Sequence, residues 1–123
     1  LLVSDEPLSF WGGYDPASGE IIDRRHPLSG EQGAGSVLAL PGSRGSSTTT
    51  AVLLEAIRAQ AAPAAIIISQ ADDFFALAAI VAQELYGRSI PVVKVQPEQF
   101  SRLESGSLAF VQPDGSIMIE EAV

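Results

Sequence analysis

A chain of 123 residues, 46% of them apolar, suits one domain (1–123) with its own core and argues against disorder. Fifteen acidic against seven basic side chains give a net charge of −8, too negative to neutralise a phosphate backbone, so nucleic acid is not the expected partner. With no cysteine and one histidine, the chain has no disulfide framework and cannot hold zinc, an iron–sulfur cluster or another transition metal alone.

The longest apolar runs are too short and too interrupted to span a membrane. No secretory leader is evident, so the expected location is cytoplasmic. The first residue is Leu, which fits a chain that begins inside a longer one. Residues 1–6 read as a loose lead-in. Leu8-Ser9-Phe10-Trp11 reads as a strand ended by Gly12-Gly13. Asp15-Pro16-Ala17-Ser18-Gly19 is turn chemistry, and Glu20-Ile21-Ile22-Asp23 reads as the returning strand of a hairpin.

Residues 24–35 form an irregular polar stretch, and loops of this size are often functional. His26 has two readings: a proton shuttle or phosphate acceptor, or the more ordinary brace ahead of Pro27. Asp23 is either a site acid or a strand-end Asp bonding nearby N–H groups. Arg24 and Arg25 either draw an anionic substrate or a partner surface, or are simply solvated.

Val37-Leu38-Ala39-Leu40 reads as a buried strand that feeds Pro41-Gly42-Ser43-Arg44-Gly45-Ser46-Ser47-Thr48-Thr49-Thr50. Gly42 and Gly45 let the backbone turn and approach a ligand closely. Ser46 and Ser47 are good N-cap residues for the helix that follows. The unpartnered N–H groups and the dipole of that helix make an anion site. The same pattern also serves plain turn and cap chemistry. A nucleotide P-loop does not fit, because no Lys follows Gly45.

The spacing of Leu53, Leu54 and Ile57 predicts a helix over 47–60, with a Glu55–Arg58 pair across one turn. Ala64-Ala65-Ile66-Ile67-Ile68 has the continuous apolar character of a strand covered on both faces. A second helix opens at Gln70-Ala71-Asp72-Asp73 and stops at Gly87. Phe74 and Phe75 read as core or interface. Residues 90–95 read as a strand and 97–103 as a short helix. Residues 107–111 and 117–119 read as a closing hairpin around Asp114-Gly115. The expected class is α/β: parallel central strands joined by right-handed crossovers, flanked by antiparallel hairpins in a layered, barrel-like β/β/α domain.

Several of these stretches together resemble a known family. They are Pro7-Leu8-Ser9-Phe10-Trp11-Gly12-Gly13-Tyr14-Asp15-Pro16, Gly19 to Gly30, Leu40-Pro41-Gly42-Ser43-Arg44-Gly45-Ser46-Ser47, Pro63-Ala64-Ala65-Ile66-Ile67 and Gly87-Arg88-Ser89-Ile90-Pro91-Val92-Val93. The pattern resembles the small, swivel domain of the aconitase X family across nearly the whole chain. The resemblance implies a swivelling β/β/α domain like the fourth domain of aconitase. It also implies hydro-lyase chemistry, the removal of water from a hydroxy acid. Bacterial relatives resemble dehydratases of cis-3-hydroxy-L-proline, and archaeal ones phosphomevalonate dehydratase. The catalytic centre would lie between this small subunit and a large one, in a heterodimer or heterotetramer. The large subunit would carry the cysteines that hold iron or an iron–sulfur cluster, leaving no cofactor on this chain alone.

By the same resemblance Ser46 matches the serine of the family's Gly-Ser motif, taken to be the proton acceptor. It would act as an alkoxide, held by helix N-terminal N–H groups and nearby positive charge. Gly45 and Ser47 would hydrogen-bond the substrate carboxylate, with Arg44 and Thr48 beside them. Many relatives place another Ser where Thr48-Thr49-Thr50 stands; Thr keeps the hydroxyl but narrows the pocket. The segment from Asp23 to His26 would border the site, and a Lewis-acidic iron of the partner would help the hydroxyl leave. The resemblance leans toward hydroxyproline, since a phosphorylated substrate would want more basic residues near the loop. A mobile phosphohistidine carrier using His26 and a non-catalytic interaction module stand as the other readings.

Overall fold

The computed structural model describes residues 1–44 and 47–120, Ser47 through its backbone only. The elements run β1 (Leu2–Val3), β2 (Val37–Leu40), α1 (Ser47–Arg58), β3 (Ala65–Ile68), α2 (Asp73–Tyr86), β4 (Val92–Lys94), α3 (Pro97–Phe100), β5 (Leu108–Val111) and β6 (Ile117–Glu120). β1, β2, β3 and β4 form one parallel sheet in that order, and β5 and β6 a separate antiparallel ribbon. Among the described residues no helix is long and apolar enough to cross a membrane.

β2 and β3 are buried along their whole length, and their side chains alternate between two cores. Leu38, Leu40, Ile66 and Ile68 pack against Leu53, Ala56 and Ile57 of α1 and Phe75, Ala78 and Ala82 of α2. Val37, Ala39, Ala65 and Ile67 face the other way, onto Phe100, Leu103, Ala109, Val111 and Ile117. The result is three layers: the ribbon with α3, the parallel sheet, and the helix pair. Strand order follows chain order, so both crossovers step the same way and leave α1 and α2 side by side on one face.

Five expectations change. The lead-in is ordered: β1 is an edge strand in register with β2, and the terminal amine of Leu1 donates to the Ser107 carbonyl at 2.9 Å. The N-terminal hairpin reduces to isolated bridges, Tyr14 with Ile21 and Glu20 with Gln32, while Leu8 bridges Ser43 in parallel. The reason is a helix-like turn in which the Tyr14 N–H donates to the Phe10 carbonyl at 3.2 Å. That turn puts both rings on the same side, stacked with centroids 4.8 Å apart. Gly13 is required inside it, since a Cβ there would lie 2.0 Å from the Ser9 carbonyl oxygen.

The first helix ends at Arg58, two residues early. Gln60 takes a left-handed φ of 60°, and the N–H groups of Gln60 and Ala61 return to the carbonyls of Ile57 and Ala56 in a Schellman-type stop. The short helix after β4 likewise closes at Phe100. Lastly, the described strands form two sheets and do not close into one barrel.

Candidate active site

β2 and β3 are neighbouring parallel strands, so the segments that follow them emerge together at one edge of the sheet. Ligand sites of α/β sheets gather at that carboxyl edge. Residues 41–44 follow β2 and residues 69–72 follow β3. The Gln70 N–H donates to the Pro41 carbonyl at 3.0 Å, and the Arg44 N–H to the Leu8 carbonyl at 3.1 Å. The Thr50 hydroxyl of α1 donates to the Phe74 carbonyl at 2.9 Å.

Asp72 stands at the centre of this junction. One carboxylate oxygen caps α2, accepting from the N–H groups of Phe74 and Phe75 at 3.0 and 3.1 Å. The other accepts from the Ser43 N–H and hydroxyl, both at 2.6 Å. Partial burial works against the charge, but the four hydrogen bonds outweigh it and hold the Asp72 carboxyl below the usual carboxylate range. A depressed folded value means that its stabilising contribution is present above the unfolded value and is lost as pH falls through the folded one. The melting temperature of wild type should therefore exceed that of Asp72→Asn at neutral pH, with the gap closing at acid pH, as thermal denaturation across a pH series would record.

On the other side of residues 41–44 lies a cleft of about 380 Å³, lined by Glu6, Pro7, Ser9, Asp23, Arg25, His26 and Arg44. It brings two guanidinium groups, from separate segments, together with two carboxylates. An Asp23 oxygen accepts from the Arg25 N–H at 3.0 Å, which fixes the turn that aims this segment. His26 is buried. Its Nδ1 accepts from the Leu28 N–H, which assigns the proton to Nε2, 3.1 Å from the Glu6 carbonyl. Both nitrogens are engaged in bracing, and neither is open to carry a phosphoryl group. A second cleft, of about 360 Å³, is lined by Ser43, Asp72, Asp73 and Phe74.

The family model described as the aconitase X swivel domain matches residues 1–119. This chain belongs to that family. Over 92 residues it is 56% identical to the cis-3-hydroxy-L-proline dehydratase of Pseudomonas aeruginosa, a match covering 75% of this chain and 16% of that enzyme. Over 121 residues it is 35% identical to the phosphomevalonate dehydratase small subunit of Methanopyrus kandleri, covering 97% of this chain and 84% of that subunit. The crystal structure of Thermococcus kodakaraensis aconitase X in its holo-form matches with a TM-score of 0.84 at 33% identity, over 98% of this chain and 86% of that one. The swivel domain thus spans only a small part of the length of the hydroxyproline dehydratases it matches.

Within this aconitase X swivel domain, the structure brings Arg44, Asp23 and His26 to one cleft. Thr48 is exposed on the first turn of α1 and lines neither cleft. Gly45, Ser46 and the Ser47 side chain lie outside the described residues. Sequence reasoning took Asp72 as a helix cap and missed its hold on Ser43. The signal was available: a loop after one parallel strand and a cap after its neighbour meet at the same sheet edge. The donor set does not fit an iron centre. The chain has no cysteine, His26 has no free nitrogen, and among the described residues no three His, Cys, Asp or Glu side chains gather as a metal site.

Proposed function

We propose that this swivel domain, residues 1–123, completes the active site of a cytoplasmic hydro-lyase that removes water from a small hydroxy acid. The 56% identity to a bacterial enzyme favours cis-3-hydroxy-L-proline as the substrate. The observation that carries the reading is the cleft lined by Arg25 and Arg44, which offers two cations for a carboxylate. A large aconitase X-type partner supplies the rest of the site and holds iron or an iron–sulfur cluster. That partner is either a second subunit, in a heterodimer or heterotetramer, or the remainder of one longer polypeptide. Exposed apolar side chains such as Trp11 and Ile80 leave surface for such an association.

In this reading Arg44, with the N–H of Gly45 and the hydroxyl of Ser47, orients the substrate carboxylate. Asp23 and His26 border the cleft, and His26 keeps its wall in place. Ser46 takes the proton from the carbon next to the carboxylate, as an alkoxide stabilised by the helix N-terminus and the two arginines. The C–H electron pair becomes the new double bond, and the hydroxyl on the next carbon departs. The proton held on Ser46 suffices to balance that hydroxide as water.

A second reading, the small subunit of a phosphomevalonate dehydratase, is favoured by length: this chain covers 84% of a free-standing small subunit of that name. Assay of the assembled enzyme on both substrates separates the two. Arg44→Ala should lower kcat/KM by about 10- to 100-fold, mostly through KM, since a charge-assisted hydrogen bond contributes about 1.5–3 kcal/mol. Turnover of phosphomevalonate alone would select the second reading. Arg44→Ala with wild-type kinetics would remove the carboxylate role of that residue.

A further inference from the structure

We propose that Asp72 is a positioning residue, whose carboxylate holds residues 41–44, the approach to Gly45-Ser46, in their working geometry. The inference rests on the reading that Ser46 accepts the proton. The two oxygens of Asp72 divide their work. One serves the cap of α2, accepting from Phe74 and Phe75. The other serves the loop alone, accepting from Ser43 twice at 2.6 Å.

The surroundings fit this division. A Cβ on Gly42 would come within 3.3 Å of the loop-facing oxygen, close enough to press on it. Gln70 holds Pro41 before the loop, and Thr50 is tied to Phe74 after it. The chain before Gly45-Ser46 is therefore fastened by Gln70 and Asp72, and the chain after it by the Phe74 carbonyl, so Asp72 anchors the approach side. A displacement of about 1 Å in a catalytic group can cost about a hundredfold in rate, so a lost anchor should register in kcat.

Asp72→Asn separates the two tasks. Asn caps a helix about as well as Asp, so the cap survives. Its amide N–H₂, however, would face the Ser43 N–H, donor against donor. In the assembled enzyme acting on cis-3-hydroxy-L-proline, Asp72→Asn should lower kcat by about 10- to 100-fold, with KM nearly unchanged. Ser43→Ala, which removes one of the two loop bonds, should cost less, and adding it to Asp72→Asn should cost little more. Amide hydrogen exchange at Ser43 and Arg44 should rise about tenfold or more in Asp72→Asn, while the amides of α2 hold steady.

Ser46→Ala and Tyr14→Phe serve as controls; the second weakens the core without touching the loop. A wild-type kcat in Asp72→Asn beside an inactive Ser46→Ala would overturn this proposal alone. Full activity in Ser46→Ala would overturn the underlying reading and the proposal with it. A loss in Asp72→Asn no larger than in an equally destabilised Tyr14→Phe would reduce Asp72 to a helix cap. Unchanged exchange at Ser43 would do the same, whatever the substrate.

Discussion

Ser46→Ala in the assembled dehydratase is expected to lower kcat on cis-3-hydroxy-L-proline by at least about a hundredfold, with KM moving little. The size follows from the task. Positioned proton transfer contributes about 10²–10⁴-fold, and alanine has no oxygen to perform it. The split between kcat and KM follows from the other residues of the loop. On the proposed reading Arg44 and its neighbours still bind the carboxylate, so the variant loses an interaction made only as the proton moves. Steady-state kinetics on purified wild type and variant read both parameters. An unchanged kcat would take Ser46 out of the chemistry, and a large rise in KM with kcat intact would make it a binding group.

Phe10→Ala is expected to destabilise the fold by about 3–5 kcal/mol, the usual cost of removing a buried aromatic ring. Phe10 is fully buried. It stacks on Tyr14 at 4.8 Å and meets Phe75 edge-on at 5.1 Å, which joins the N-terminal segment to α2. Tyr14 in turn donates its hydroxyl to the Ala61 carbonyl at 2.6 Å, past the end of α1. Burial pushes the Tyr14 phenol well up, so it stays a neutral donor. Loss of the Phe10 ring therefore loosens both partners at once. Thermal denaturation should show a fall on the order of 10–20 °C. A fall of only one or two degrees would mean that this cluster does not anchor the segment that walls the cleft.

The central strands and helices were legible in the sequence because each carries its own signal. β3 is a continuous β-branched run, α2 has Asp72 before it, and Gly87 after it takes a φ of 67°. The closing ribbon was legible at Asp114-Gly115: Gly115 has a φ of 90°, and Asp114 accepts from both the N–H and the hydroxyl of Ser116. The N-terminal segment misled because Leu8 to Trp11 looks like a strand locally. What shapes it is tertiary, the stacking of Phe10 on Tyr14 around a glycine that no side chain could replace.

The site was legible unevenly, for the same reason. Arg44 stands in a loop that composition alone marks out, and it reaches the cleft. His26 was open between chemistry and bracing, and its two ring hydrogen bonds show the bracing. Nothing in periodicity links Glu6, Arg25 and Arg44; only the fold brings them together. The second oxygen of Asp72 was invisible for the same reason. Ser46 is a candidate through the family pattern alone.

The most direct test is the dehydration of cis-3-hydroxy-L-proline by the large aconitase X-type partner, with and without this chain. Water loss that needs both, whether as two subunits or as one polypeptide from which residues 1–123 can be deleted, is the predicted result. The same turnover by the large partner alone would contradict the claim that this domain completes the site.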